Sequence, residues 1–326
     1  MKRKIIKLGQ STFVTSLPSS WVRENKLERG DYLELEQEDG TLRLSIEAQK
    51  RGMDITLDAT ELNDKALHGY LEMAYSMGYE TIEVIHKPDI IAYAHAFRKQ
   101  KEKNKSTSFL QKTVNEKFIG MEIVEQSERR TMIKDLGGGL SEELVQNIFS
   151  RILFLLTHQA KETHLALVNN DREKLEALIP SFANTRKFIL YYMRVLSRTN
   201  VSRAESKART SILSELTMIN SSYRSMIGLA LSKKKIGFSK NACAILDGIT
   251  GHLETMRNLC LEFNPEKATD FLDKRKGVWD NINATSTDQK NVPVGDLPIY
   301  FSVGSLMGSI WFVVKDLYGL NLDKIR

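Results

Sequence analysis

Lys2-Arg3-Lys4-Ile5-Ile6-Lys7-Leu8-Gly9-Gln10-Ser11-Thr12-Phe13-Val14-Thr15-Ser16-Leu17-Pro18 opens a stretch that runs to Glu47 and is basic at its start and acidic towards its end. The cations lead into a Gly9-Gln10 turn, and Ser11 to Leu17 reads as a second short strand. Pro18 opens a short helix over Ser19 to Lys26; proline suits the first helical turn because its missing N–H would be unpaired there anyway. Gly30-Asp31 ends that unit and starts a hairpin. Leu33 and Leu35 alternate with Tyr32, Glu34 and Glu36, and Leu42, Leu44 and Ile46 alternate with Thr41, Arg43 and Ser45. This is the period-two pattern of strands with one buried face. Asp39-Gly40 between them suits a type I′ turn, which needs positive φ at both central positions. A module under about 50 residues rarely buries enough surface to fold alone without staples. No cysteine lies in this stretch, so pairing with a second copy about a two-fold axis is the simplest completion.

The whole chain has 326 residues, 41% hydrophobic and 27% charged, enough for two or three domains with sizeable cores. A net charge of +6 is compatible with phosphate backbones or anionic surfaces. The two cysteines, Cys243 and Cys260, fall on one expected helix; a rise of about 1.5 Å per residue keeps them too far apart for a disulfide, which fits a reducing cytosol. No apolar run reaches the length of about 20 residues that spans a bilayer. The start is too basic and strand-like for a signal peptide. The expected location is cytoplasmic, without membrane insertion.

Residues 51 to about 136 read as a small α/β unit. Met53 to Leu57 alternates as a strand, and Asp58 or Thr60 is placed to cap a helix with Leu62, Ala66, Leu67, Tyr70, Leu71, Ala74 and Met77 on its apolar side. Gly78 fits the position just past its end. Tyr79 to Ile85 is a strand. Pro88-Asp89 is expected to open a second helix, with Ile90, Ile91, Ala94 and Phe97 inward, closed by the run Arg98, Lys99, Lys101, Lys103 and Lys105. Such a run suits the solvated end of a helix, where cations favour the negative dipole, and would also extend a DNA footprint. A short helix is expected near Phe109 to Asn115, then a hairpin from Phe118 to Glu125 and Arg130 to Ile133. Alternating strands and helices suggest a small mixed sheet with helices on one face.

Gly137-Gly138-Gly139 marks a joint, with Ser141 placed to cap the helix that follows. The triplet lacks the Lys-Ser/Thr ending of a phosphate-binding loop. Beyond it the chain reads as long amphipathic helices: to about Val168, about Arg172 to Arg198, Lys207 to Lys233, Ser239 to Glu262, Pro265 to Ala284, and Ile299 to Leu320. Six antiparallel helices joined by short turns are consistent with two three-helix bundles side by side.

Two resemblances attach to these residues. Lys7-Leu8-Gly9-Gln10-Ser11, the Leu17-Pro18 helix start, Trp21-Val22-Arg23, Leu27, Gly30-Asp31 and the Asp39-Gly40 hairpin together resemble the AbrB/MazE/SpoVT family of swapped-hairpin domains. That family implies an intertwined dimer that grips DNA with basic residues of its N-terminal strand and first loop, here Arg3, Lys4, Lys7 and Arg23. The run Phe13 to Leu17 is longer than the family's. The helical half is similar to the PhoU family, whose core is a tandem repeat of three-helix units. Lys117 to Glu125 and Gly78 to Glu83 are similar to archaeal proteins that place an AbrB-like domain before a PhoU domain. The implied class is α+β: an N-terminal swapped-hairpin β-barrel over residues 1–48, a small α/β middle unit over 49–136, and PhoU-like tandem three-helix bundles over 137–326.

PhoU proteins carry Glu/Asp-x-x-x-Asp motifs, whose carboxylates sit on one helix face one turn apart and suit multinuclear metal sites with oxygen ligands. Ser181 to Lys187, where the first would lie, contains no carboxylate pair. Glu266-x-x-x-Asp270, with Asp273, is the candidate metal set, although acids at a helix start also favour the dipole. His158-x-x-x-Glu162 is a further one-face pair. No cofactor is expected beyond such an ion. No Gly-x-Ser-x-Gly elbow, His-Glu-x-x-His helix, Cys-x-x-Cys pair or Gly-x-Gly-x-x-Gly turn is present, so an enzyme is not expected. The expectation is a homodimeric DNA-binding transcriptional regulator, linked through the PhoU resemblance to phosphate uptake or homeostasis, with double-stranded DNA and a second copy as partners. The alternative is an adaptor whose helical half docks on a phosphate transporter ATPase or a sensor kinase.

Overall fold

The computed structural model describes residues 2–38, 41–46, 53–93, 101–137, 142–199, 201–232, 238–286 and 296–322. The chain divides into two compact units, Met1–Arg51 and Gly52–Arg326. The structure is mixed α+β and mostly helical, with small sheets.

In the first unit β1 (Ile6–Leu8) and β2 (Thr12–Val14) pair antiparallel, with Ile6 opposite Val14 and Lys7 opposite Phe13. Gly9 turns the chain at φ 73°, a left-handed conformation that costs glycine nothing. Helix α1 (Ser19–Glu24) has Pro18 at its N-cap and ends where Lys26 turns to φ 52°. Then β3 (Leu33–Glu38) and β4 (Thr41–Ile46) pair antiparallel, with Leu35 opposite Leu44. The expected Asp39-Gly40 turn lies outside the described residues. The strands form two separate two-stranded sheets and, among the described residues, no closed barrel.

The second unit begins with β5 (Asp54–Asp58), α2 (Asp64–Ser76) and β6 (Thr81–Ile85), a parallel strand pair with its crossover helix. The cap of α2 is Asn63, whose side chain accepts from the Ala66 N–H. Asp58 and Thr60, the expected caps, instead bond each other in a turn at 2.7 Å, because they lie too far upstream to reach the first helical N–H groups. Gly78 follows the helix end at φ 92°, and a Cβ there would meet Ser197 Oγ at 2.8 Å.

The helix expected from Pro88-Asp89 is a strand. β7 (Asp89–Tyr93) pairs antiparallel with β8 (Lys101–Lys105). Consecutive β-branched Ile90 and Ile91 followed by Tyr93 favour extended backbone, and proline precedes strands as readily as it opens helices. Ala94, Phe97, Arg98 and Lys99 lie outside the described residues. Next come α3 (Ser106–Lys117), longer than expected, then β9 (Met121–Gln126) and β10 (Arg130–Asp135). The four-stranded sheet runs β5-β6-β10-β9. Ile82, Val84 and Ile133 cluster with Leu67, Leu71 and Tyr75 of α2 and Leu110 and Val114 of α3.

Six helices complete the unit: α4 (Glu142–Val168), α5 (Arg172–Arg198), α6 (Arg203–Leu231), α7 (Lys240–Leu261), α8 (Pro265–Ser286) and α9 (Leu297–Leu320). Asp171, Ser202, Ser239 and Asn264 cap α5 to α8 through side-chain oxygens, satisfying N–H groups that have no intrahelical partner. One apolar cluster runs through all six helices, and α6 packs along α9, tying the first three helices to the last three. Gly138, Gly139 and Ser141 lie outside the described residues. Cys243 and Cys260 are both on α7 and both free.

Helix α5 belongs to both layers, since its Leu190 is buried in the cluster of the sheet layer while Ile189 and Tyr192 belong to that of the bundle. Between the layers lies Arg194, only 3% exposed. Its guanidinium donates to the Tyr75 carbonyl at 2.9 Å and to Asp135 Oδ2 at 2.8 Å, and it sits 5.0 Å from the centre of the Tyr75 ring. One turn on, Arg198 reaches both Asp135 and Glu80. Burial pulls the Asp135 carboxyl upward, but bonds from Arg194, the Gly137 N–H and Arg198 outweigh it and hold it below the ordinary carboxylate range.

Removing one partner of a buried pair leaves the other charge unpaired, so Arg194→Ala should cost about 3–5 kcal/mol of unfolding free energy, read from urea midpoints. Because the folded-state pKa of Asp135 is depressed, its contribution is complete at neutral pH and lost as pH falls through that value. The stability gap between the wild-type chain and Asp135→Asn should therefore be widest at neutral pH and narrow below about pH 4.

Candidate nucleic-acid interface

The first 23 residues carry Lys2, Arg3, Lys4, Lys7 and Arg23 and no acidic side chain. Arg3, Lys4, Lys7 and Arg23 are all exposed. Lys7 lies mid-strand in β1, cross-strand from Phe13, while its neighbours Ile6 and Leu8 face the other side of the two-stranded sheet, opposite Val14 and Thr12. Lys4 lies two residues before the start of β1, and its carbonyl accepts from the Thr15 hydroxyl at 3.4 Å, which extends the pairing beyond the strand ends. Arg23 sits in the last turn of α1, its Nε donating to the Ser19 carbonyl at 3.3 Å. That bond occupies one guanidinium edge and leaves the terminal nitrogens for another acceptor. Three cations thus come from one strand and its lead-in, and the fourth from the helix after it. Chemically, this is a pair of flexible lysine point charges with two planar guanidinium forks, suited to phosphate oxygens and, at Arg23, to a bidentate base edge.

The same unit leaves its apolar side chains bare. No residue of the first unit whose side chain is described is buried. Ile5, Leu8, Phe13 and Tyr32 are 74%, 62%, 66% and 77% exposed, and the facing pair Leu35 and Leu44 is open as well. Trp21, Val22, Asn25 and Leu27 are only partly covered, by the short helix and its αL end. A single copy therefore has the strands of a folded module without the interior.

The carboxylates named from the sequence do not assemble. Glu266, Asp270 and Asp273 are exposed along α8, and among the described residues no group of three or more His, Cys, Asp or Glu side chains is placed to hold a metal ion. Glu162 pairs with Lys174 at 2.6 Å, and His158 stacks on Phe154, so that pair is divided between two other contacts. The run at Lys101 to Lys105 is strand β8, and Lys105 pairs with Asp89 at 3.0 Å.

Sequence reasoning passed over the cationic edge of α5. Arg186, Leu190, Arg194 and Arg198 recur every fourth residue, the spacing of one helix face, and in the structure that face meets the sheet layer. Arg186 reaches Glu72 of α2 at 3.0 Å and the Thr217 hydroxyl at 3.1 Å, and Lys187 reaches the Asn115 carbonyl at 3.2 Å. Three cations at four-residue steps around a leucine were the available signal. Comparison with family models, curated proteins and solved structures gives no match to this chain.

Proposed function

We propose that the chain is a homodimeric DNA-binding transcriptional regulator. The observation that carries this reading is the first unit itself, with exposed cations on its leading strand and helix, no acid before Glu24, and an apolar surface left uncovered in one copy. Two copies that interlace their hairpins into one barrel, as in the swapped-hairpin domains the sequence resembles, would bury Leu35, Leu44 and their neighbours. Burial of apolar area returns about 25 cal/mol per Å², the only large stabilising source open to a module this small. Interlacing would also bring two sets of Arg3, Lys4, Lys7 and Arg23 onto one duplex. Phosphate contacts from the lysines supply affinity, and arginine forks in the major groove supply sequence preference. The helical half, by its resemblance to tandem three-helix bundles, is the sensing part, with phosphate supply as the signal. Its rigid joint to the sheet layer through α5 lets a shift in the bundle move the layer that precedes it in the chain.

A second reading keeps the helical half as an adaptor on a transporter ATPase or sensor kinase. It is favoured by exposed apolar side chains on α9 and α6, including Phe301 at 75% exposure, Phe312 and Met218, the kind of patch that marks a docking surface.

Changing Arg3, Lys4, Lys7 and Arg23 together to Ala should abolish gel-shift binding to the upstream region of the protein's own gene. Each single Lys→Ala change should lower the salt slope of log K by about 0.9. Unchanged binding in the fourfold variant would reject this interface. The paired change Leu35→Glu with Leu44→Glu should weaken dimerisation at least about tenfold in sedimentation. An undiminished dimer would reject hairpin exchange.

A further inference from the structure

A groove of about 470 Å³ runs along α3, between that helix and α2. Lys105 at the end of β8 and Ser108, Phe109, Lys112 and Lys117 of α3 line it, and His68 of α2 closes one end. Its charges are lopsided, with three lysines against the single carboxylate of Glu116. Lys105 is engaged by Asp89. Lys112 is exposed and has no acidic partner among the described residues.

The His68 end is more unbalanced. Lys117 and Arg186 share one carboxylate, Glu72, at 3.5 and 3.0 Å, and His68 Nε2 also lies 3.5 Å from it. Lys117 Nζ contacts the His68 ring. Burial lowers the Lys117 pKa, against the pull of Glu72 and with the help of Arg186 and Arg224. Burial likewise lowers that of His68, against the pull of Glu72 and Asp64 and with Lys117 and Arg186 adding to it. Lys117, Arg186 and His68 therefore crowd round Glu72, with Asp64 as a second acid acting on His68.

We propose that the groove binds a phosphate monoester carried on a flat or apolar body, of the size of a mononucleotide. The phosphoryl group, carrying about two negative charges at neutral pH, balances the excess of lysine over carboxylate. Lys112 and Lys117 approach it from the rim and from the His68 end as point-charge donors, which suits phosphate better than a planar carboxylate. The Ser108 hydroxyl adds a neutral donor, and the Phe109 ring gives the body an apolar wall. The volume lies within the usual range for small-ligand clefts, roughly 300–1,000 Å³. This site lies wholly in the second unit and goes beyond the DNA-binding reading.

Calorimetric titration of the full chain with AMP, ribose 5-phosphate and adenosine tests it. AMP should bind, ribose 5-phosphate, which has no flat or apolar body, should bind more weakly, and adenosine should not bind. Lys112→Glu, at an exposed position, should keep the wild-type melting curve and weaken that binding at least about tenfold; Lys117→Met should weaken it too. The fourfold Arg3, Lys4, Lys7 and Arg23 alanine variant should bind AMP as the wild type does, which separates this result from the fate of the DNA reading. Absence of phosphate-dependent binding, or AMP binding untouched by Lys112→Glu, would overturn the proposal. So would loss of duplex affinity in Lys112→Glu with AMP binding intact, which would assign the groove to the DNA backbone.

Discussion

Arg194 holds the second unit together as one body. A guanidinium almost entirely out of water is tolerated only when its donors are matched and its charge is neutralised. Here the Tyr75 carbonyl and Asp135 do both, with the Tyr75 ring against one face of the guanidinium. Those partners come from α2 and from the end of β10, so satisfying one side chain of α5 fixes the sheet layer to the bundle. Glu72 with Arg186, Glu80 with Arg198, and the close approach of Gly78 to Ser197 act along the same line. Apolar contact alone between the layers would permit sliding. Directional bonds at several points along one helix do not.

The first unit follows the opposite logic. Its strands are formed and its turns are made by residues that tolerate positive φ, Gly9 and Gly30 among them, yet none of its described side chains is buried. Backbone hydrogen bonds in short, open hairpins contribute little net stability when water competes for every donor. The missing component is apolar burial, and the sequence holds the apolar residues needed for it. The second copy proposed above would supply that burial, and the same symmetry would pair the cations.

Charge organises both units, in different ways. On the first unit Arg3, Lys4, Lys7 and Arg23 are exposed and precede every acid in the sequence. In the second they are drawn inward, where α5 and α3 present arginines and lysines to carboxylates of the sheet layer. The joint at Arg194 is balanced by Asp135. The groove along α3 is lined by three lysines and one carboxylate.

Periodicity alone located most of the elements. The six long helices, their caps at Asp171 and Ser239, the parallel β5–β6 unit and the β9–β10 hairpin follow from local pattern, because burial of one face leaves a repeating signature and a capping oxygen must lie within a few residues of the N–H it serves. The cationic strand at Lys4 and Lys7 was equally legible, being contiguous. Locally degenerate segments were not. Pro88-Asp89-Ile90-Ile91 fits a helix start and a strand alike, and pairing with residues a dozen positions later decided for strand. Asp58, Thr60 and Asn63 are all capping residues by type, and only the chain path selected Asn63. Arg186, Arg194 and Arg198 read as an ordinary charged helix edge until the fold carried Glu72, Asp135 and Glu80 to meet them. Composition and spacing determined which segments form and which faces they bury; which distant charges become partners was settled by packing, since a salt bridge between residues up to 118 positions apart leaves no mark on either neighbourhood.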